Sequence, residues 1–150
     1  MRRFWIALLL LWCTEAHAQS QPWDSLENEG ARYAGTRDDR QNAVIFVCPV
    51  TGAQQLIVRS PQFRVSVPDD HRYTLTFVTD HGRSEVVATA KDAELIFAAA
   101  DINAQVQIQR LMQDIAASQS FSIAMSSFGW KGQFTAAGAA EALKDMKNGC

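Results

Sequence analysis

Residues 43–48 form an unbroken apolar run, Ala43-Val44-Ile45-Phe46-Val47-Cys48, stopped by Pro49 and Gly52. Branched and aromatic side chains of this kind favour a pleated, buried strand. Gln55 to Arg59 resumes the pattern, which makes residues 49–53 a hairpin loop. Phe63-Arg64-Val65-Ser66-Val67 alternates apolar and polar positions, the period of a half-buried strand, and Pro68 ends it. Alternation returns from Tyr73 to Val78, with Tyr73, Leu75 and Phe77 on one side; Asp80-His81-Gly82 is a turn and Ser84 to Ala90 the return strand. Strands joined this closely predict an antiparallel meander.

The period then changes. Glu94-Leu95-Ile96-Phe97 reads equally as a strand or as the start of a helix. Asp101 or Asn103 can cap a helix running to about Ala117, whose Ile108, Leu111, Met112 and Ile115 share one face at i, i+3, i+4 and i+7. Phe121, Ile123 and Met125 alternate inward on a further strand, and Trp130 to Thr135 follows the Gly129 turn as another. A last helix is expected over residues 137–148, with Ala139, Leu143 and Met146 as its buried stripe, Lys144 and Lys147 in its final turns and Gly149 as its left-handed cap.

The N-terminal 42 residues break this regularity. Arg2 and Arg3, the short apolar run Ile6–Leu11 and Ala16-His17-Ala18 have the layout of a secretory leader cleaved after Ala18. The run falls short of the ~20 apolar residues that span a bilayer, which argues against the alternative of a single-pass anchor. Trp12 stands before Cys13 where lipidation wants a small residue. Residues 19–42 read as a polar arm, pinned to the body by Trp23 and Tyr33, with an unstructured lead-in as the competing reading. The expected organisation is therefore a leader over residues 1–18, an arm over 19–42 and a single α+β domain over 43–150. That domain is an antiparallel meander sheet of five to seven strands, with two helices packed on one face, one of them C-terminal.

Composition narrows what such a domain does. The whole chain has 14 basic and 16 acidic side chains; without residues 1–18 there remain 12 and 15, a net charge of −3. That balance, with no basic cluster, disfavours nucleic acid and anionic membrane surfaces as partners. Export implies a periplasmic or secreted location with no stable membrane anchor after cleavage. Leader removal takes Cys13 and leaves Cys48 and Cys150. In an oxidising compartment an even pair points to a disulfide, the alternative being a reactive or intermolecular thiol.

Candidate chemistry is sparse. His71 and His81 each follow aspartate in turns, and a strand between them would hold them apart at its two ends. They read as solvated turn residues, with weak zinc or copper ligation as the competing reading. No serine lies in a G-x-S-x-G context; a triad from Ser84 or Ser127 with either histidine has no support in spacing. Glu27, Glu29, Asp69 and Asp70 are acid pairs of loop type. No catalytic, cofactor or metal residue is assigned. Trp23, Phe128, Trp130 and His71 are the candidate partner-contact residues, core packing being the competing reading for the aromatics.

The order of Trp23, a strand ending in Cys48, a meander, a middle helix and a closing element carrying Phe134, Gly138, Ala142, Leu143 and Cys150 resembles small exported bacterial proteins of the VasI-like type, encoded near type VI secretion loci. More loosely, it resembles the invasion-associated locus B proteins. The resemblance implies a non-enzymatic envelope protein that touches other proteins, and it carries over no catalytic residue. The expected function is an exported, non-catalytic interaction or secretion-accessory module without cofactor, its partner another envelope or secreted protein. The alternatives are an inhibitor or immunity-like protein of a periplasmic enzyme, with Pro68–His71 as its inserting loop, and a small hydrolase or metal-binding protein.

Overall fold

The computed structural model describes residues 21–146 and Cys150. The leader and the Lys147–Gly149 cap lie outside the described residues. Nine antiparallel strands form one sheet: β1 (Asp24–Asn28), β2 (Ala31–Arg37), β3 (Ala43–Cys48), β4 (Gln55–Arg59), β5 (Arg72–Thr79), β6 (Gly82–Lys91), β7 (Glu94–Ala98), β8 (Ser120–Met125) and β9 (Trp130–Thr135). Their spatial order is β1-β2-β3-β4-β7-β6-β5-β8-β9. Helices are α1 (Phe63–Ser66), α2 (Ile102–Ala116) and α3 (Ala139–Ala142), and a single 3-10 turn covers Ser126–Phe128. The α+β class and the C-terminal helix hold; the sheet is larger than expected.

Two of the additional strands come from the polar arm. Glu29 and Gly30 both have positive φ, 50° and 82°, the backbone of a tight two-residue hairpin turn. They join β1 and β2 in register from Asp24↔Gly35 to Asn28↔Ala31. The arm is thus the edge of the sheet, not a loop. The segment from Phe63 to Val67 is the second correction. Phe63 and Val67 are buried while Val65 is 91% exposed. Burial at i and i+4 is one helical turn, and Phe63–Ser66 forms α1, although the same letters also fit a strand. The last helix is also shorter than expected: α3 ends at Ala142, yet Ala139, Leu143 and Met146 are buried as the stripe requires. Glu94–Ala98 resolves as strand.

The sheet curls strongly. Five spacings of ~4.8 Å separate β3 from β8 in a flat sheet, about 24 Å. Yet the Trp23 ring lies 6.1 Å from both Phe46 on β3 and Phe121 on β8. The concave side holds one core: Val44, Phe46 and Cys48 from β3, Leu56 and Val58 from β4, Leu75 and Phe77 from β5, and the α2 face of Ile108, Leu111, Met112 and Ile115. Asp101 caps α2, its carboxylate accepting from the Ala104 N–H at 2.9 Å. α2 meets a stretch of β6 that β7 leaves unpaired, since β6 and β7 pair only at Thr89–Lys91, and Gln107 donates to the backbone oxygen of Glu85.

Cys48 and Cys150 are joined by a disulfide with Cα atoms 5.3 Å apart. It ties the end of β3 to the segment beyond α3. Beside it, the buried Gln54 amide donates to the Met146 carbonyl at 3.2 Å.

Candidate functional site

Of the four candidate partner-contact residues, Trp23 and Trp130 are buried, while Phe128 and His71 are exposed. Trp23 is 7% exposed; its N–H groups donate to the Thr135 and Ala137 carbonyls, both at 2.9 Å, drawing the start of β1 to the end of β9. Trp130 is 5% exposed and packs against Phe63 in a tilted pair, ring centroids 5.1 Å and planes 54° apart. Both indoles are core residues, as the competing reading held. Phe128 is 46% exposed but leans on Tyr73, ring centroids 5.6 Å apart. His71 is exposed, its Nδ1 3.1 Å from the Asp69 carbonyl oxygen. It precedes β5, and His81 follows β5, with Nε2 3.1 Å from the Ala117 carbonyl oxygen. The two imidazoles therefore sit at opposite ends of one strand. Among the described residues no three His, Cys, Asp or Glu side chains gather in a way that could hold a metal.

The face that the sequence reading missed is the convex side of β1–β4 and β7. Registers place cross-strand rows there. Asp24, Gly35, Ile45, Ile57 and Ile96 stand opposite one another in sequence across five strands. The next row is Leu26, Tyr33, Val47, Gln55 and Ala98. Val47 is buried without belonging to the core, as expected of an outer residue covered by its neighbours. These rows border a shallow trough of about 370 Å³ lined by Leu26, Tyr33, Ile45, Val47 and Ile57. Gly35 forms part of its lining: a Cβ there would lie 2.6 Å from the Val44 carbonyl oxygen. Leu26, 58% exposed, stands at the open end on β1.

A third row, Arg37, Ala43, Arg59 and Glu94, rims the trough. Beyond it lies a wider cleft of about 700 Å³ where Arg64 joins Arg37 and Arg59. Arg59 pairs with Glu94 at 2.5 Å and Arg37 donates to the Gln41 side chain at 3.3 Å. An apolar band with an arginine border suits a partner surface that is itself apolar with acidic edges. Alternation hid this face: Ile45, Val47 and Ile57 sit within runs that read as buried on both sides.

Elsewhere polar groups are committed to structure. A cleft of about 470 Å³ between the β2–β3 turn and β9 includes Asp38, Arg40, Lys131 and Gln133. The Asp38 carboxylate already accepts from the Arg40 and Asn42 N–H groups, each at 2.9 Å, and from the Asn42 amide at 2.7 Å. On β6 the Arg83 guanidinium hydrogen-bonds Glu85 and holds its carboxyl below the usual range. Among the described residues no helix is long and apolar enough to cross a membrane.

No protein-family model matches this chain, and neither a curated protein nor a solved structure matches it.

Proposed function

We propose that the chain is an exported, non-catalytic docking protein of the bacterial envelope that holds another envelope or secreted protein on the convex face of β1–β4. The observation that carries the reading is the outward apolar trough of Leu26, Tyr33, Ile45, Val47 and Ile57 beside Arg37, Arg59 and Arg64. Outward apolar side chains gathered in rows on one sheet face, with Leu26 exposed at the end, suit the apolar centre of a partner contact. The disulfide supports the oxidising compartment that the leader implies. The likeness to secretion-accessory proteins is part of the same proposal.

The test places a photo-reactive amino acid at Ile57 in the producing cell, with Val106 on the exposed side of α2 as control. One heterologous adduct of fixed mass from Ile57, and none from Val106, is expected. The absence of any heterologous adduct from Ile57, or recovery of the chain with residues 1–18 attached inside the cell, overturns the reading.

A second reading has its own observation. The exposed Pro68–His71 loop is braced by the Asp70 N–H to the Ala90 carbonyl, the Ala90 N–H to the His71 carbonyl, both at 2.8 Å, and the Asp92 N–H to the Asp69 carboxylate at 2.9 Å. A braced, exposed loop suits insertion into an enzyme cleft, as an inhibitor would. A photo-reactive group at His71 that traps an enzyme, with Ile57 silent, selects this reading over the first.

A further inference from the structure

We infer that β1 is a self-pairing edge through which two copies of this chain join antiparallel, making one continuous sheet across a two-fold axis at Leu26. This concerns the strand edge; it shares Leu26 with the docking face, and the mass of the chain tests it separately from the heterologous adduct at Ile57.

β1 is an end strand of the sheet, and no described residue pairs with Asp24–Asn28 on the side away from β2. All five residues are exposed. Edge strands that remain single are commonly blunted by short length, by charge, lysine above all, by proline or by a bulge. β1 is five residues long and carries Asp24 and Glu27, but it has no lysine or proline within its span, and Pro22 lies before it. The other end strand, β9, differs. It carries Lys131 at its exposed positions, and the start of β1 is drawn against the chain just beyond it through Trp23 and Ala137.

The sequence of β1 is complementary to itself in one register. Centred on Leu26, Asp24 stands opposite Asn28 of the second copy, Ser25 opposite Glu27, and Leu26 opposite Leu26. Every carboxylate then faces a neutral polar group, and no like charges stand directly opposite. Moving the centre to Glu27 sets that carboxylate against itself. Moving it to Ser25 requires Trp23, whose N–H is already given to Ala137. A slip by one residue would turn Leu26 to the wrong face.

The chosen register also continues the convex face. Leu26 is the last residue of the Leu26–Tyr33–Val47 row. Across the axis that row runs Val47–Tyr33–Leu26 and then Leu26–Tyr33–Val47 of the second copy, burying the most exposed apolar side chain of the face. Five paired residues a side is a small interface, so association depends on concentration. The two Glu27 carboxylates meet on the diagonal and weaken it further.

The experiment is light scattering of the mature chain over a concentration series. The mass of two copies at high concentration is expected, and Leu26→Lys, whose exposed position leaves the fold intact by circular dichroism, raises the dissociation constant at least about tenfold. Glu27→Gln lowers it. Mild oxidation locks Leu26→Cys, but not Val50→Cys, into a covalent dimer. The mass of one copy at every concentration overturns the inference, as does a dimer indifferent to Leu26→Lys. A monomer that still yields the heterologous Ile57 adduct removes the dimer and leaves the docking reading standing; a dimer without that adduct does the reverse.

Discussion

The Trp130 indole N–H, on the last strand, donates to Ser60 Oγ at 3.1 Å, although Ser60 follows β4, five positions away in the sheet. Asn42 Oδ1, before β3, lies 3.4 Å from the same nitrogen. One buried donor therefore holds the rolled sheet across its open side. Ser60→Ala leaves the longer contact to Asn42 and should cost about 1 kcal/mol; Trp130→Phe removes the donor at similar polar cost plus lost packing. Urea titration of both single variants and the double checks this. A double variant whose loss equals the sum of the singles would show that the bond couples nothing.

The disulfide encloses a loop with a sequence separation of 102 residues. Loop-closure entropy for that length stabilises the fold by roughly 4–5 kcal/mol. Cys48→Ala with Cys150→Ala, or reduction of the wild type, should lower the denaturant midpoint accordingly. Thiol labelling of the unreduced, unfolded chain lacking residues 1–18 should find no free cysteine.

Two glycines predict a graded pair. A Cβ on Gly35 would lie 2.6 Å from the backbone oxygen of Val44, which cannot move without the ladder. On Gly132 it would lie 2.7 Å from the Phe134 ring, which can tilt. Gly35→Ala should therefore destabilise by about 2–3 kcal/mol and Gly132→Ala by less, within the range of overpacked sites. Thermal melts of the two variants decide the order; equal losses would contradict it.

Asp101→Ala removes the oxygen that accepts from the Ala104 N–H and should cost about 1 kcal/mol. Asn103→Ala, two residues on, should cost little. Hydrogen exchange in the first turn of α2 reports the difference directly.

Most of the concave side was legible in the sequence because burial and period agree there. Tyr73, Leu75 and Phe77, then Ile108, Leu111, Met112 and Ile115, are buried where their spacing places them. The cysteine pairing followed from the even number left if residues 1–18 are an export leader, as their layout predicts. Illegible parts share a physical cause. β1 buries nothing, so it has no hydrophobic period to read, and only the Glu29-Gly30 turn marked it. At Phe63–Val67 the period of two and the spacing of four coincide over five residues. Trp23 and Trp130 were weighed as contacts, and their buried bonds to Thr135, Ser60 and Asn42 depend on the roll of the sheet, which no local pattern encodes. The convex trough escaped because its isoleucines lie beside core residues on the same strands.

The position of the Cys48–Cys150 bond also decides how the molecule carries tension. A pull between residue 21 and residue 150 passes from the first strands directly through the sulfurs, so β1, β2 and β3 bear the load and β4 to β9 lie outside the force line. Stretching then releases only about 27 residues, roughly 90 Å of contour at ~3.5 Å each, in place of about 450 Å for the reduced chain. An oxidised copy pulled from both ends would yield its outer hairpin and keep the rest of its sheet wound.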